Sequence, residues 1–367
     1  MTLIPPGSLF SHLTARQIHI SMAGIIASLL TGVMHFADSN YTATFIVGGI
    51  ALVFLATLVS MGSEALSESL SPSATGIVQS ALGNLPELFV AIFALRAGLV
   101  NVVQAAIVGS ILGNGLLVLG FAFLLGGWKN GTQYFPAEGP RMNAILLLLA
   151  IFALMIPTMA FEWNTPAKAH SGAFSVACAI VLLVIFALSV AYSLLGNSSA
   201  IPAGGSHPAV GDLNWPPMLT AVMLGVGGIG AAFVSEWFVR ALVPATRALG
   251  LSEAFTGLVI VAIAGNGVEH VVGVQFAIKN KADYAVNIIT QSSLQVALAI
   301  APLLVLLSFV VGAPVHLTLV LPPLLVAVLF MSAVIGAVII YDGESTWLEG
   351  AILIGLYGIV AAAFWWG

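Results

Sequence analysis

Glu87 and Glu269 each stand inside a long apolar run, and each closes the same order, Gly-Asn-x-x-Glu. The first copy reads Gly83-Asn84-Leu85-Pro86-Glu87 and the second Gly265-Asn266-Gly267-Val268-Glu269. A carboxylate at the centre of a bilayer costs roughly 2.5–3.5 kcal/mol on insertion scales, so it marks a functional site by default. A buried pair made only for helix packing gives no reason for the device to occur twice. Asn84 and Glu87 are three residues apart, as are Asn266 and Glu269, and that spacing puts each pair on one helix face. Two carboxylates and two amide oxygens form a hard, oxygen-only donor set, which suits Ca²⁺ with its 6–8 oxygen ligands. No Cys or His grouping has the spacing that zinc or copper would ask for. Ca²⁺ is therefore expected as cargo, bound by Glu87 and Glu269, and no cofactor is called for.

The same residues can couple cation to proton. Two glutamates facing one cavity repel, and a low dielectric disfavours their charged forms, so the site without metal takes up protons. A divalent cation restores the charged forms and expels those protons. Competition for one set of oxygens makes an antiporter if the site opens alternately to each side.

Several neighbours could support this chemistry. Gly83 and Gly265 precede each pair, where a missing side chain lets a backbone or an ion approach. Pro86 has no N–H, and within a continuous helix its ring would clash with the carbonyl of Leu82. A break there would turn main-chain oxygens toward a cavity, and irregular backbone survives in a membrane only where protein or water receives it. Val268 replaces the proline in the second copy, so a second break would rest on Gly265 and Gly267. Ser110 and Asn114 lie four apart, and Ser292 and Gln295 three apart. They either line the same cavity or serve as interhelix glue. Glu64 and Glu236 are candidate relays to the surface, with interfacial carboxylates as the alternative. His270 points about 100° away from Glu269 on a helix, so it either shuttles protons or bonds a facing carbonyl.

These residues need elements to hold them, and composition says which kind. The chain has 367 residues, 60% apolar and 6% charged, with mean hydropathy +1.12. Soluble domains carry about 25% charged residues, so the fold class expected is an all-α polytopic membrane protein. The alternation of a membrane β-barrel is absent. A net charge of −5 without a basic block argues against nucleic acid as a partner. Cys178 is the single cysteine, so no disulfide forms within the chain, and it reads as a small hydrophobe. Arg16 precedes a first apolar run that passes Met34 without a small-residue cleavage site, so this run reads as a retained helix rather than a cleaved signal.

Eleven spans are expected, at 17–36, 43–64, 74–95, 99–126, 142–161, 170–196, 217–244, 254–278, 283–310, 315–341 and 346–366. Residues 197–216 are rich in Gly, Ser and Pro and read as a linker. An offset of 182 residues (265 − 83) carries Gly83, Asn84 and Glu87 onto Gly265, Asn266 and Glu269. Without a gap it also carries Asn101 onto Asp283, Ser110 onto Ser292 and Leu112 onto Leu294. The motifs fall in the third and eighth spans, an odd number apart, so the two motif helices cross in opposite senses. This predicts an inverted repeat. The expected units are an N-terminal segment with one helix (1–42), a five-helix repeat (43–196), the linker (197–216) and a second five-helix repeat (217–367). With the N-terminus inside, Arg16, Lys129, Arg141, Lys279 and Lys281 face the cytoplasm, against Arg96, Lys168, Arg247 and Arg240 outside, a bare preference for that orientation.

At these motifs the sequence resembles the cation/proton exchangers, specifically the Ca²⁺/H⁺ antiporters of the cation/Ca²⁺ exchanger superfamily. The first signature runs Gly83-Asn84-Leu85-Pro86-Glu87-Leu88 and continues Gly109-Ser110-Ile111-Leu112-Gly113-Asn114. The second runs Gly265-Asn266-Gly267-Val268-Glu269-His270 and continues Ser292-Ser293-Leu294-Gln295. The resemblance covers nearly the whole chain. It implies an 11-helix fold with Glu87 and Glu269 as shared carriers of Ca²⁺ and protons. Sodium-coupled relatives show Gly-Thr-Ser before the first Pro-Glu, where this chain has Leu82-Gly83-Asn84, and this favours protons as counter-ion. Two departures stand out. Gln291 occupies the place where family members have Gly before the serines, which bears on packing near that helix. The linker holds only Asp212, where many relatives carry an acidic run.

A monovalent cation/proton antiporter using the same residues is the main alternative. An intramembrane aspartyl protease would need a dyad, and Asp212 and Asp342 sit in loop or span-end contexts; no His-Glu-x-x-His exists for a zinc protease. An enzyme is not expected. The expected partners are Ca²⁺ and H⁺ as substrates and the lipid bilayer, with a homo-oligomer left open. A compact chain fits a prokaryotic plasma membrane, and a vacuolar membrane stays open.

Overall fold

The computed structural model of the protein describes residues 12–38, 40–67, 82–194 and 215–366. Residues 74–81 of the expected span 74–95 and nearly all of the linker 197–216 lie outside the described residues. Most of the described chain is helical. In chain order the elements are α1 (Ala15–Phe36), α2 (Tyr41–Ser67), α3 (Leu85–Arg96), α4 (Val100–Asn130), α5 (Glu138–Glu162) and α6 (Ser171–Leu194). They continue with α7 (Pro217–Ala248), α8 (Glu253–Gly265), α9 (Gly267–Ile278), α10 (Ala282–Leu307), α11 (Pro323–Tyr341) and α12 (Trp347–Trp365). Among the described residues nine helices are long and apolar enough to cross a membrane, and ten if α8 and α9 are counted as one bent span.

Local sequence starts these helices in recognisable ways. Thr14 and Gln17 close a capping box at the head of α1, and Thr346 and Glu349 do the same for α12. Prolines lead α7 and α11, where a missing N–H costs nothing. Burial separates centre from rim. The most apolar windows of α4 and α10 are 78% and 89% buried, whereas those of α1 and α6 are each 17% buried. The helices that carry Ser110, Asn114, Ser292 and Gln295 are therefore the core, and α1 and α6 turn their apolar sides outward, as lipid-facing helices do.

Two close crossings tie the core together. The α2–α7 pair stacks Phe45 on Phe238 with ring centroids 4.6 Å apart. The α4–α8 crossing places Gly109 directly against the carbonyl of Leu258, where any Cβ would collide with backbone. Small residues at such crossings let membrane helices approach closely. Gly109→Ala is accordingly expected to lower stability by about 1–3 kcal/mol or more through overpacking, measured as a lower melting temperature and lower monodisperse yield in detergent.

The structure departs from the expected spans in two places. The span expected at 254–278 is not one helix: it bends by 67° between α8 and α9, at Asn266. The helix expected from 315 begins only at Pro323. Residues 308–316 instead form a largely exposed turn, and 317–321 run on as a strap without helical structure that places Leu317, Leu319 and Leu321 in the core. Its backbone is satisfied by side chains: Gln104 donates to the carbonyls of Thr318 and Val320, Leu319 N–H donates to Ser175, and Leu321 N–H donates to Thr158. Hydropathy could not reveal this, because an apolar strap served by distant hydroxyls and an amide reads like an apolar helix.

Opposite the strap, Gln133–Tyr134 (β1) and Glu344–Ser345 (β2) pair antiparallel, Gln133 facing Ser345. Asn130 and Gln133 also donate to carbonyls at the end of α9. The 182-residue offset recurs in the elements: α3 and α9 start at Leu85 and Gly267, and α4 and α10 at Val100 and Ala282. Both core helices pass into a π-helical turn at their site residues, Gly113–Val118 in α4, which contains Asn114, and Val296–Ile300 in α10, directly after Gln295. Such turns gather at functional sites.

Candidate functional site

Both motifs sit at helix starts. Asn84 and Asn266 leave helical geometry, at φ/ψ of −93/9° and −111/17°, and new helices begin at Leu85 and Gly267. Pro86 lies in the first turn of α3, the place where a proline is tolerated, so it opens a helix rather than kinking one. Glu87 and Glu269 are each the third residue of the new helix, in the first turn. The unpaired N–H groups there carry a partial positive charge that favours an anion.

Glu87 is buried, and its Oε1 accepts from Ser110 Oγ at 2.5 Å. Ser110 Oγ in turn accepts from Asn266 Nδ2 at 3.0 Å. The asparagine of the second motif is thus tied through α4 to the glutamate of the first. Gly265 completes the contact, since a Cβ there would lie 3.2 Å from Glu87 Cβ. The other amides join across the core helices: Asn84 Nδ2 donates to Gln295 Oε1 at 2.9 Å, and Asn114 Nδ2 to Ser292 Oγ at 2.9 Å. Glu269 is half-buried in the first turn of α9.

This network leaves acceptors over. Glu87 Oε2, Asn114 Oδ1 and Asn266 Oδ1 are buried with no hydrogen-bond partner among the described residues. A buried unpaired acceptor costs about 1–3 kcal/mol, and a hard cation is one species that would satisfy oxygens of this kind.

The structure therefore ties these residues into three hydrogen-bonded sets, Glu87–Ser110–Asn266, Asn84–Gln295 and Asn114–Ser292, with Gly265 against Glu87. Among the described residues nothing fills the Cβ side of Gly83. The relay candidates divide. Glu236 is ion-paired with Arg240 at 2.7 Å on α7, and both are partly exposed. Glu64 is half-buried on α2. His270 Nε2 is buried without a hydrogen-bond partner among the described residues. Asp342 accepts from Glu344 N–H in an exposed turn, and Asp212 lies outside the described residues. Two polar residues of α10, Asn287 and Gln291, were not among the predicted site residues. Their signal is present in the sequence as a polar residue every fourth position from Asp283 to Gln295.

The Sodium/calcium exchanger protein family matches residues 40–195 and 219–366. The chain belongs to that family. It is 36% identical over 348 residues to a Ca²⁺/H⁺ antiporter of Synechocystis sp., covering 90% of this chain and 92% of that protein. It is 31% identical to the Ca²⁺/H⁺ antiporter ChaA of Bacillus subtilis, covering 93% of this chain and 96% of that one. Among solved structures, native YfkE superposes with a TM-score of 0.81 at 29% identity, covering 94% of this chain and 99% of that chain. The all-helical membrane architecture read from composition is thus the architecture of an exchanger family.

Proposed function

We propose that this protein exchanges Ca²⁺ for H⁺ across a membrane by alternating access, with Glu87 and Glu269 carrying Ca²⁺ or protons in turn. The observation that carries the proposal is the chain Asn266–Ser110–Glu87, which joins the two motifs around a buried carboxylate with a spare oxygen. Two carboxylates match the charge of one divalent cation, and the remaining donors are amide and hydroxyl oxygens, the set Ca²⁺ prefers. The inverted layout of 43–196 and 217–367 belongs to the same proposal: equivalent helix starts at the two motifs support it, and rocking one unit against the other would expose the site to each side. The names of the similar proteins from Synechocystis and Bacillus support the choice of Ca²⁺ and protons.

Everted vesicles holding the protein, acidified and loaded with a pH-sensitive dye, test the assignment. Added Ca²⁺ is expected to restore fluorescence, while Na⁺ or K⁺ at the same ionic strength leaves it quenched. A larger response to Na⁺ or K⁺ would replace Ca²⁺ as the substrate and favour the monovalent alternative.

A further inference from the structure

Asp283, Asn287, Gln291 and Gln295 follow one another at every fourth residue of α10. On a helix this places an oxygen-bearing side chain once per turn along a slowly drifting stripe, about 18 Å from first to last. The lower end is Asp283, half-buried in the first turn of α10, on the face of the protein where β1 and β2 pair. The upper end is Gln295, whose oxygen holds Asn84 in the site. Between them, Asn287 spends its amide N–H on the carbonyl of Asp283 at 2.9 Å and keeps its buried Oδ1 without a partner. Gln291 is 6% exposed, and its Oε1 is also buried and unpartnered. Two orphaned carbonyl oxygens in succession are costly in a membrane protein's core, and packing alone does not call for them.

We propose that Asp283, Asn287 and Gln291 form a hydrated oxygen ladder by which the divalent cation passes between the β1–β2 face and the site, with Gln291 an oxygen contact for the ion one turn below Gln295. The inference rests on the exchange reading above for its choice of ion. Neutral amide oxygens suit a passage, because they replace water around a hard cation without holding it as tightly as carboxylates would. Asp283 attracts the cation to the mouth, and Gln291 hands it to Ser292 and Gln295 beside it. The glutamine that departs from the family's glycine thereby acquires a role in this chain.

The test uses full-length protein in proteoliposomes with Cys178 replaced by Ala. Asn287→Cys and Gln291→Cys are compared with Ala285→Cys, which is buried at 1% on the opposite side of α10. A small water-soluble cationic methanethiosulfonate is expected to modify positions 287 and 291 about tenfold faster than 285, since thiol reactivity follows access to water. Saturating Ca²⁺ is expected to slow modification at 291. Equal rates at 285, 287 and 291 would mean a dry stripe and overturn the ladder. Fast modification that Ca²⁺ leaves unchanged would overturn it as a cation path. Gln291→Gly, which opens space rather than filling it, is expected to raise the half-saturating Ca²⁺ roughly tenfold, the scale of losing a supporting ligand; an unchanged value removes Gln291 from the path. Absence of any Ca²⁺-driven proton release by the unmodified protein is a separate result that sinks the exchange reading instead.

Discussion

Glu87→Gln and Glu269→Gln are each expected to reduce Ca²⁺-driven proton release at least 100-fold while leaving the protein folded. Glutamine keeps the shape of glutamate, and at position 87 its carbonyl can still accept from Ser110 as Oε1 does now. What is removed is one of two negative charges that a divalent ion needs. Breaking one partner out of a buried charge set costs about 3–5 kcal/mol, and each 1.4 kcal/mol is a factor of ten. The two substitutions need not look alike in binding. Glu87 is buried and tied to Asn266 through Ser110, whereas Glu269 is half-buried and has no such side-chain hydrogen bond among the described residues. Initial rates in vesicles, beside a detergent elution profile to show folding, decide the matter. Normal exchange by either variant refutes its assigned role.

Acidification is expected to weaken Ca²⁺ binding steeply. Protons and the metal compete for the same carboxylate oxygens, so metal affinity falls as protons become more available, and metal binding releases protons. The sign is fixed by that competition: lower pH raises the half-saturating Ca²⁺. Each proton displaced contributes up to about tenfold per pH unit, so two displaced together give up to about 100-fold over the range where the pair titrates. Calorimetry on the purified protein at several pH values, in buffers of different ionisation enthalpy, measures both the slope and the protons released. A binding constant that does not move with pH would mean that proton and cation use different groups, and direct competition would be excluded.

Much of this site was legible in the residues themselves. Burying charge in lipid is costly, so Glu87 and Glu269 stood out against a chain with 6% charged residues. Their repetition with Asn84 and Asn266 at a constant offset singled out four residues that lie at two equivalent helix starts, those of α3 and α9. Pro86 announced a helix boundary because a proline cannot donate to the preceding turn. The partners Ser110, Asn114, Ser292 and Gln295 were visible as polar residues in apolar runs, but whether they served the site or only glued helices together was undetermined. Spacing along one helix says nothing about which side chain on another helix receives a hydrogen bond.

The sequence by itself determined the membrane class and the family signatures and singled out the two carboxylates as candidates, because these follow from the cost of polar groups in lipid and from patterns within single helices. Tertiary structure decided the rest. Only the crossing of α4 with the hinge at Asn266 brings Ser110 between that asparagine and Glu87. Only the distant side chains of Gln104, Thr158 and Ser175 satisfy the backbone of a strap, rather than a helix, at 317–321. Both depend on hydrogen bonds between residues far apart in the chain, and hydropathy and periodicity carry no record of such partners.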